Sequence, residues 1–279
     1  MRDDTSRIRA AFARRITKAA GGENPRIESA FAQTPREDFA GPGPWLIVEG
    51  GHYVQTPDDD PVHLYQDVLV AIDAARGINI GEPALHAACL GMIAPQAGET
   101  VLHVGAGVGY YTAILAHLVG PGGRVVAYEI DEAIAARARK NLAGFGNVVV
   151  ETRSGLARAL PGADIVYVNA AAVEPHRGWL DALRPGGRLM FPLQAPGRGG
   201  AMLMITRPQS GDIWPAKMFG PVWFVQIEGA ANAAATRRLE TAFGDDGWRD
   251  VQSLRTGAPD ATCWLAGEGW WLSRAASGW

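Results

Sequence analysis

The feature that most constrains the fold of this chain is a short apolar run that ends in a cluster of glycines. Residues 100–104 read Thr-Val-Leu-His-Val, and Gly105, Gly107 and Gly109 follow. The next residues, Tyr111–Val119, have the apolar pattern of a helix. Glycines at such a strand-to-helix turn let a ligand approach the backbone, and the helix N-terminus presents unpaired N–H groups to it. The pattern predicts a ligand site at the carboxyl edge of a parallel sheet.

Further apolar runs alternate with helices downstream of this turn. The runs lie at 124–128, 147–152, 163–168 and 188–193, and helices are predicted at 133–143 and before Leu183. Near-continuous apolar strands that alternate with helices are typical of a parallel sheet covered on both faces. The sequence therefore predicts an α/β fold with a doubly wound, mostly parallel, Rossmann-like sheet.

The two ends of the chain follow other patterns. Toward the N-terminus we predict helices at 5–20, 25–34 and 83–92, and an irregular segment at 46–80 with one strand at 64–72. Toward the C-terminus we predict a turn at 184–187, an antiparallel hairpin of strands 202–206 and 222–227, a helix at 231–243 and a strand pair within 262–273. We expect three parts: N-terminal helices with a substrate-side segment (1–98), a ligand-binding core (99–207), and strands and a helix that complete or extend the sheet (208–279).

Composition excludes several classes of function. With 47% hydrophobic residues and a net charge of −3, the chain is neither disordered nor an electrostatic binder of nucleic acid. No apolar run is long enough for a membrane helix, and the two cysteines form no CxxC motif. Neither the cysteines nor the six histidines have the spacing of metal ligands. We expect a cytoplasmic protein without a metal, and a homodimer stays open.

An acidic residue lies at the end of the predicted strand that follows the glycine turn. Glu129 ends the next predicted strand, where a carboxylate can accept the hydroxyls of a ribose. Tyr110 stands where the dinucleotide fingerprint requires its third glycine, which disfavours a nicotinamide-dependent oxidoreductase. The G-x-G-x-G spacing instead resembles motif I of class I methyltransferases, which bind S-adenosylmethionine. A binding protein without turnover is the other alternative.

Several segments together resemble the protein-L-isoaspartate O-methyltransferase family across roughly residues 26–207. The matching segments are Arg26-Ile-Glu-Ser-Ala-Phe with Pro35-Arg-Glu-Asp-Phe39, Leu64-Tyr-Gln-Asp67, Ile80-Gly-Glu-Pro83 with the following helix, and Leu183-Arg-Pro-Gly-Gly-Arg-Leu189 with Pro192. The resemblance implies S-adenosylmethionine as methyl donor, S-adenosylhomocysteine as product, and a carboxylate of a peptide, protein or small molecule as acceptor.

Two departures from the family pattern concern the site. Gly81 stands where the resemblance implies a serine beside the acceptor carboxylate, so only a backbone N–H remains there. Ser154 stands where the family has an acid that recognises the adenine amine, and a serine offers one uncharged acceptor. We therefore expect the fold and the donor to follow the family more closely than the acceptor.

Candidate site residues follow from these patterns and from the resemblance. On the acceptor side, the candidates for catalysis are Asp67, Asn79 and Gly81, with Tyr65 beside them. The candidates for donor binding are Ile80, His103, Gly105, Ala106, Gly107, Gly109, Tyr110, Glu129, Ile130, Ser154, Gly155, Leu156 and Asn169. For Asp67 a helix or turn cap is an equal alternative, and for Asn169 an amide that caps backbone groups at the strand end is an equal alternative. For His103 we favour burial with one hydrogen-bond partner.

Overall fold

The computed structural model of the chain describes residues 2–229, 232–244 and 246–276. These residues form two compact units. The first unit comprises the described residues up to Glu99 together with Ala106–Arg153. The second comprises Thr100–Gly105 together with the described residues from Ser154 onward. The glycine turn thus contributes its first glycine to one unit and the rest to the other.

The described elements follow the predicted alternation. The helices are α1 (Arg2–Ala19), α2 (Pro25–Gln33), α3 (Glu37–Ala40), α4 (Pro83–Ile93), α5 (Tyr110–Val119), α6 (Glu132–Asn141), α7 (Arg177–Ala182) and α8 (Ala233–Ala242). The strands are β1 (Leu46–Glu49), β2 (His52–Gln55), β3 (Val70–Asp73), β4 (Ile78–Ile80), β5 (Thr100–Val104), β6 (Arg124–Glu129), β7 (Val148–Thr152), β8 (Ala163–Val168), β9 (Leu183–Leu193), β10 (Gly200–Thr206), β11 (Trp214–Val222), β12 (Ser253–Arg255), β13 (Cys263–Gly267) and β14 (Trp270–Ser273).

The N-terminal helices of the first unit form where the periodicity predicts them. In α1 the buried stripe is Phe12 and Ile16, which lie one turn apart. Asn24 caps α2 by accepting the backbone N–H of Ile27, and Pro25 occupies the first turn. Helix α1 packs against α2 and α4, so these three predicted helices are confirmed.

The segment from 46 to 80 is not irregular, which corrects the prediction. It forms a four-stranded antiparallel sheet in the order β2-β1-β3-β4, and only the end of the predicted strand 64–72 lies in a strand. Residues 61–64 instead form a short 3-10 helix, whose start Asp60 caps by accepting the N–H of Val62. The strands have three or four residues and mostly half-exposed side chains, so they show no clear alternation along the sequence.

The rest of the first unit contains a pair of parallel strands with their helices. Strands β6 and β7 pair in parallel from Val125 with Val148 to Glu129 with Thr152. Helices α5 and α6 pack against these strands. Asp131 caps α6 by accepting the backbone N–H of Ile134. Glu129 therefore ends its strand two residues before this N-cap.

The second unit holds a mixed sheet in the order β5-β8-β9-β10-β11-β12-β14-β13. Strands β5, β8 and β9 are parallel, and the strands from β10 onward join antiparallel. The predicted α/β, Rossmann-like class with antiparallel C-terminal strands is confirmed. The strand pair within 262–273 is also confirmed as β13 and β14.

Three details of the second unit differ from the predictions. The predicted turn at 184–187 belongs to strand β9. The backbones of Gly186 and Gly187 form hydrogen bonds with Arg207, which directly follows the antiparallel strand β10. The second strand of the hairpin is β11 rather than 222–227. This strand contains two prolines and a glycine, and these residues had led to the prediction of a loop there. The predicted helix 231–243 is α8, and its first predicted residue lies outside the described part of the chain.

Across the described residues, no helix combines the length and the apolar character needed to cross a membrane.

Candidate active site

In the first unit, the glycine turn is held directly by the acidic residue predicted to act with it. The backbone N–H of Gly107 donates to Oε2 of Glu129 at 2.8 Å, and the N–H of Ala106 donates to the carbonyl of Tyr128 at 3.1 Å. Gly109 has φ +93°, and a β-carbon there would lie 2.7 Å from Cδ1 of Leu142. A larger residue at 109 would therefore break the close approach of turn and helix α6.

Glu129 is positioned as an acceptor for hydroxyl groups. Its other carboxylate oxygen accepts the backbone N–H of Asp131 at 3.0 Å, so each oxygen has one N–H donor and keeps further lone-pair capacity. Burial raises the pKa of Glu129, and the backbone N–H donors oppose that rise. Ile130, the next residue, is 48% exposed and offers an apolar surface for a planar ring.

Tyr110 does not face a ligand with its side chain. The ring is 1% exposed and packs edge-on against Phe39 and Tyr111. Its hydroxyl is buried without a hydrogen-bond partner among the described residues, and burial raises its pKa. Of the groups of Tyr110, only the backbone is left for the predicted contact with the donor.

The acceptor-side candidates of the first unit are fixed by hydrogen bonds within that unit. Oδ1 of Asp67 accepts the N–H of Ala84 in the first turn of α4 at 2.8 Å. Oδ1 of Asn79 accepts the hydroxyl of Tyr53 at 2.8 Å. This bond corresponds to the capping alternative for Asp67. Glu82 occupies the N-cap position of α4, but its side chain makes no capping hydrogen bond, and Asp67 supplies that bond instead. An ionised Asp67 would also repel an acceptor carboxylate placed next to it.

Arg36 organises the same segment, and reasoning from the sequence did not assign it a role. Its side chain is 0% exposed and donates to the backbone carbonyls of four residues. The acceptors are Leu64 at 2.8 Å, Gln66 at 3.2 Å, Val68 at 2.7 Å and Gly81 at 3.3 Å. The signal in the sequence was the Pro-Arg-Glu element, but a lone arginine does not reveal which carbonyls it will bind.

Gly81 has a specific reason to be a glycine. A β-carbon at this position would lie 2.2 Å from Nε2 of His86, which is far inside van der Waals contact. His86 is 2% exposed and its ring stacks on Tyr111 at 3.6 Å between centroids. The carbonyl of Gly81 meanwhile accepts the hydroxyl of Tyr111 at 2.7 Å. The imidazole therefore occupies the space that a serine side chain would need.

Two contacts join the acceptor-side sheet to the donor-side turn within the first unit. A β-carbon on Gly107 would lie 3.3 Å from Cδ1 of Ile72, so strand β3 approaches the glycine turn closely. Arg76, in the turn after β3, forms an ion pair with Asp131 at 2.8 Å, two residues beyond Glu129. The structure thereby brings the substrate-side segment beside Gly107 and Glu129.

The second unit places His103 and Asn169 together. The backbone N–H of Asn169 donates to the carbonyl of Val104 at 2.8 Å, and its side-chain Nδ2 lies 2.9 Å from Nε2 of His103. His103 is 0% exposed, and burial lowers its pKa to about 3. Gly105 has φ +73°, and a β-carbon there would lie 3.4 Å from the carbonyl carbon of Asn169. The predicted burial of His103 with a hydrogen-bond partner is confirmed.

The turn at 154–156 is also anchored in the second unit. The Ser154 hydroxyl accepts the N–H of Leu156 at 3.2 Å. Trp179 is fully buried and its indole N–H donates to the carbonyl of Gly155 at 2.8 Å. A β-carbon on Gly155 would lie 2.5 Å from Val104, so only glycine lets the turn reach the end of β5. The role of Trp179 had no sequence signal beyond its apolar character.

Comparison with known proteins adds to this geometry. A family model described as Protein-L-isoaspartate(D-aspartate) O-methyltransferase (PCMT) matches residues 14–232. The chain belongs to this family. The glycine turn, Glu129, Asn169 and the acceptor-side segment all lie within the part of this family member that the model matches.

Relatives and solved structures agree with that membership. A protein-L-isoaspartate O-methyltransferase of Aeropyrum pernix is 35% identical over 177 residues, which is 61% of this chain and 61% of that protein. One of Methylorubrum populi is 34% identical over 182 residues, 64% of this chain and 82% of that protein. One of Rhodopseudomonas palustris is 28% identical over 256 residues and 89% of each. The match thus spans less than two thirds of the Aeropyrum pernix protein.

Two solved structures share the fold. A protein-L-isoaspartate O-methyltransferase has a TM-score of 0.66 at 22% identity and covers 85% of this chain and 69% of that one. A Plasmodium falciparum beta-aspartate methyltransferase (PCMT) in complex with S-adenosyl-L-homocysteine has a TM-score of 0.62 at 17% identity and covers 79% and 98%. At these identities the likeness concerns the fold.

Proposed function

We propose that this family member transfers a methyl group from S-adenosylmethionine to a carboxylate of a peptide or protein, with isoaspartyl residues as the acceptor class. The observation that carries the proposal is the geometry of Glu129. Its carboxylate is nearly buried at the end of β6, and the N–H of Gly107 holds it at 2.8 Å. A fixed carboxylate beside a glycine turn suits the vicinal hydroxyls of a ribose.

The residues present fit such a donor. In the first unit, Glu129 would accept the ribose hydroxyls, Ile130 would pack on the adenine, and Gly107 and Gly109 would let the donor approach the backbone. In the second unit, Ser154, Gly155 and Leu156 would border the adenine, and Oδ1 of Asn169 is buried without a partner among the described residues. A buried unpaired acceptor calls for a donor group from a ligand.

The chemistry asks little of the protein beyond alignment and exclusion of water. When bound, the donor supplies a methyl group on a sulfonium. An ionised carboxylate can attack the methyl carbon in line, which breaks its C–S bond and leaves the thioether of S-adenosylhomocysteine, and no general base is needed. Asn79 and Gly81 would orient the acceptor. The buried guanidinium of Arg36 bonds to four carbonyls and lends positive potential to the segment that carries Gly81. This potential favours an anionic acceptor.

A specific observation at Gly81 also supports two alternatives. Gly81 provides no hydroxyl, and His86 fills the space that a hydroxyl would need. A chain with this site could bind donor and product without turnover, or it could accept a small carboxylic acid. The number of chains in the active assembly, for which a homodimer stays open, is a separate question that sedimentation analysis answers.

The experiment measures transfer of labelled methyl from S-adenosylmethionine to an isoaspartyl peptide, with the aspartyl peptide of the same sequence as control. Base-labile label on the isoaspartyl peptide alone is the expected result. Binding of S-adenosylhomocysteine without label on either peptide would overturn the acceptor assignment and leave a donor-binding protein or another acid. Absence of binding would overturn the donor assignment.

A further inference from the structure

The buried pair of His103 and Asn169 has a defined direction. His103 is fully buried in β5, where an imidazolium would lose its hydration, so the ring is neutral. The amide Nδ2 of Asn169 carries only donor hydrogens, and it lies 2.9 Å from Nε2 of the ring. Nε2 must therefore be the acceptor, and the ring proton must be on Nδ1. The tautomer of His103 and the orientation of the Asn169 amide therefore determine each other: a ring protonated on Nδ1 pairs with Nδ2 of the amide.

The consequence lies at the other end of the amide. With Nδ2 held by His103, Oδ1 of Asn169 points the opposite way, where it is buried and has no hydrogen-bond partner among the described residues. Leaving a buried carbonyl oxygen unpaired is unfavourable, because the oxygen loses its hydrogen bonds to water and gains none in return. Such an atom is retained when a ligand supplies the missing donor.

The surroundings of Asn169 identify where that donor must come from. Asn169 directly follows β8, and its N–H is bonded to Val104 at the end of β5. A β-carbon on Gly105 would lie 3.4 Å from the carbonyl carbon of Asn169, so the backbones of Gly105 and Asn169 approach each other closely. Ligands of such sheets bind beyond the carboxyl ends of the strands. The orphaned oxygen thus lies at the end of the sheet where the donor binds in the proposed function.

We infer that His103 is a positioning residue that holds the Asn169 amide so that Oδ1 accepts a hydrogen bond from the α-ammonium group of S-adenosylmethionine. This inference rests on the proposed function. An ammonium group carries three donors and no acceptor, which matches an unpaired carbonyl oxygen and mismatches an amide NH₂. A protonated histidine would reverse the amide and would add a positive charge near the ammonium. Burial of a neutral ring avoids both effects.

The first test compares two probes that differ in the group of interest. S-adenosylhomocysteine has the aminocarboxyl group, whereas 5′-methylthioadenosine has the adenosine and the thioether without it. For His103→Leu and Asn169→Ala we expect the Kd for S-adenosylhomocysteine to rise about tenfold, the equivalent of ~1.4 kcal/mol. We expect the Kd for 5′-methylthioadenosine to stay within about twofold. His103→Gln keeps an acceptor for Nδ2 and should bind both probes nearly like the parent protein.

The second measurement does not depend on any variant. Nitrogen NMR of the His103 ring in the parent protein should show a protonated Nδ1 and an unprotonated Nε2, with and without S-adenosylhomocysteine. A proton on Nε2 would overturn the inference, because the amide would then face the histidine with its oxygen. This readout remains if His103→Leu fails to fold.

Each remaining outcome has one meaning. If the variants bind both probes more weakly to the same extent, the pair of His103 and Asn169 has only a structural role. If the variants bind both probes as the parent protein does, the pair has no role in binding. Either result overturns this inference and leaves the proposed function standing. A raised KM for the acceptor peptide with unchanged binding of S-adenosylhomocysteine would place the missing donor on the peptide and would also overturn it. A parent protein that binds neither probe would overturn the proposed function as well.

Discussion

Nε2 of His86 lies where a β-carbon on Gly81 would have to stand, at a distance of 2.2 Å. The imidazole has little freedom to move, because it is 2% exposed and stacks on Tyr111. In this chain the loss of a side chain at 81 and the presence of a histidine at 86 are therefore parts of one packing arrangement. Restoring the serine of the family pattern requires a change at both positions.

We expect Gly81→Ser alone to lower the free energy of unfolding by about 1–3 kcal/mol, the usual cost of overpacking a filled site. Gly81→Ser combined with His86→Ala should be more stable than the sum of the single effects, because the two changes share one space. Urea denaturation measures both. Gly91→Ser is the control, since the nearest described atom to a β-carbon there is Cδ1 of Ile27 at 3.8 Å, an ordinary van der Waals distance. A Gly81→Ser protein as stable as this control would contradict the packing argument.

The raised pKa of Glu129 predicts that donor binding and stability change in opposite directions with pH. Its pKa is raised by burial, so it takes up a proton at a higher pH than an ordinary glutamate. Affinity for S-adenosylhomocysteine should fall as the pH drops through this raised pKa, because a protonated carboxyl accepts less strongly from ribose hydroxyls.

The folded state binds that proton more tightly than the unfolded state. The contribution of Glu129 to stability is therefore complete below the unfolded pKa and is lost as the pH rises through the folded pKa. Calorimetric titration and thermal unfolding across the acidic range measure the two effects. In Glu129→Gln the donor affinity should be weaker at neutral pH and should lack this acidic decline. An identical decline in that variant would assign the effect to another group.

Arg36→Met should destabilise the protein by about 3 kcal/mol or more, since up to four backbone carbonyls lose the buried guanidinium that donates to them. Arg36→Lys should recover part of that loss and part of the acceptor affinity. Because the carbonyls flank Asp67 and include Gly81, the KM for the acceptor peptide should rise more than the KM for the donor.

Chemical denaturation and steady-state kinetics test this expectation. Arg177→Met serves as control, because Arg177 is exposed and, within the described part of the chain, its ion pair is with Asp181 of the same helix. Its replacement should change stability by less than about 0.5 kcal/mol. Equal effects at the two arginines would contradict the role of Arg36.

Asp67 allows a capping bond to be separated from a charge. Asp67→Ala removes the acceptor of the Ala84 N–H and should cost about 1 kcal/mol of stability. Asp67→Asn keeps that acceptor and removes the charge. If Asp67 acts as a cap, the asparagine variant retains both most of its stability and its rate of methyl transfer. A large loss of kcat in a stable Asp67→Asn protein would return Asp67 to the catalytic candidates.

The sequence determined the parallel core and its ligand edge. A continuous apolar strand, a glycine turn and a helix are local patterns, so Gly105, Gly107 and Gly109 could be recognised without knowledge of any contact. Glu129 could be recognised for the same reason, since it ends the next strand at a regular distance along the chain. The antiparallel pair near the C-terminus was likewise predictable, because its strands are close in sequence.

Tertiary structure decided the side of the site that faces the acceptor. The strands from 46 to 80 are too short and too exposed to show a period, and they exist because they pair with one another. His103 forms a hydrogen bond with Asn169, which is 66 positions away in the sequence. Arg36 donates to backbone carbonyls that are 28 to 45 positions away. Burial and hydrogen bonding of this kind depend on which residues the fold brings together. Local propensity along the chain does not predict such long-range contacts.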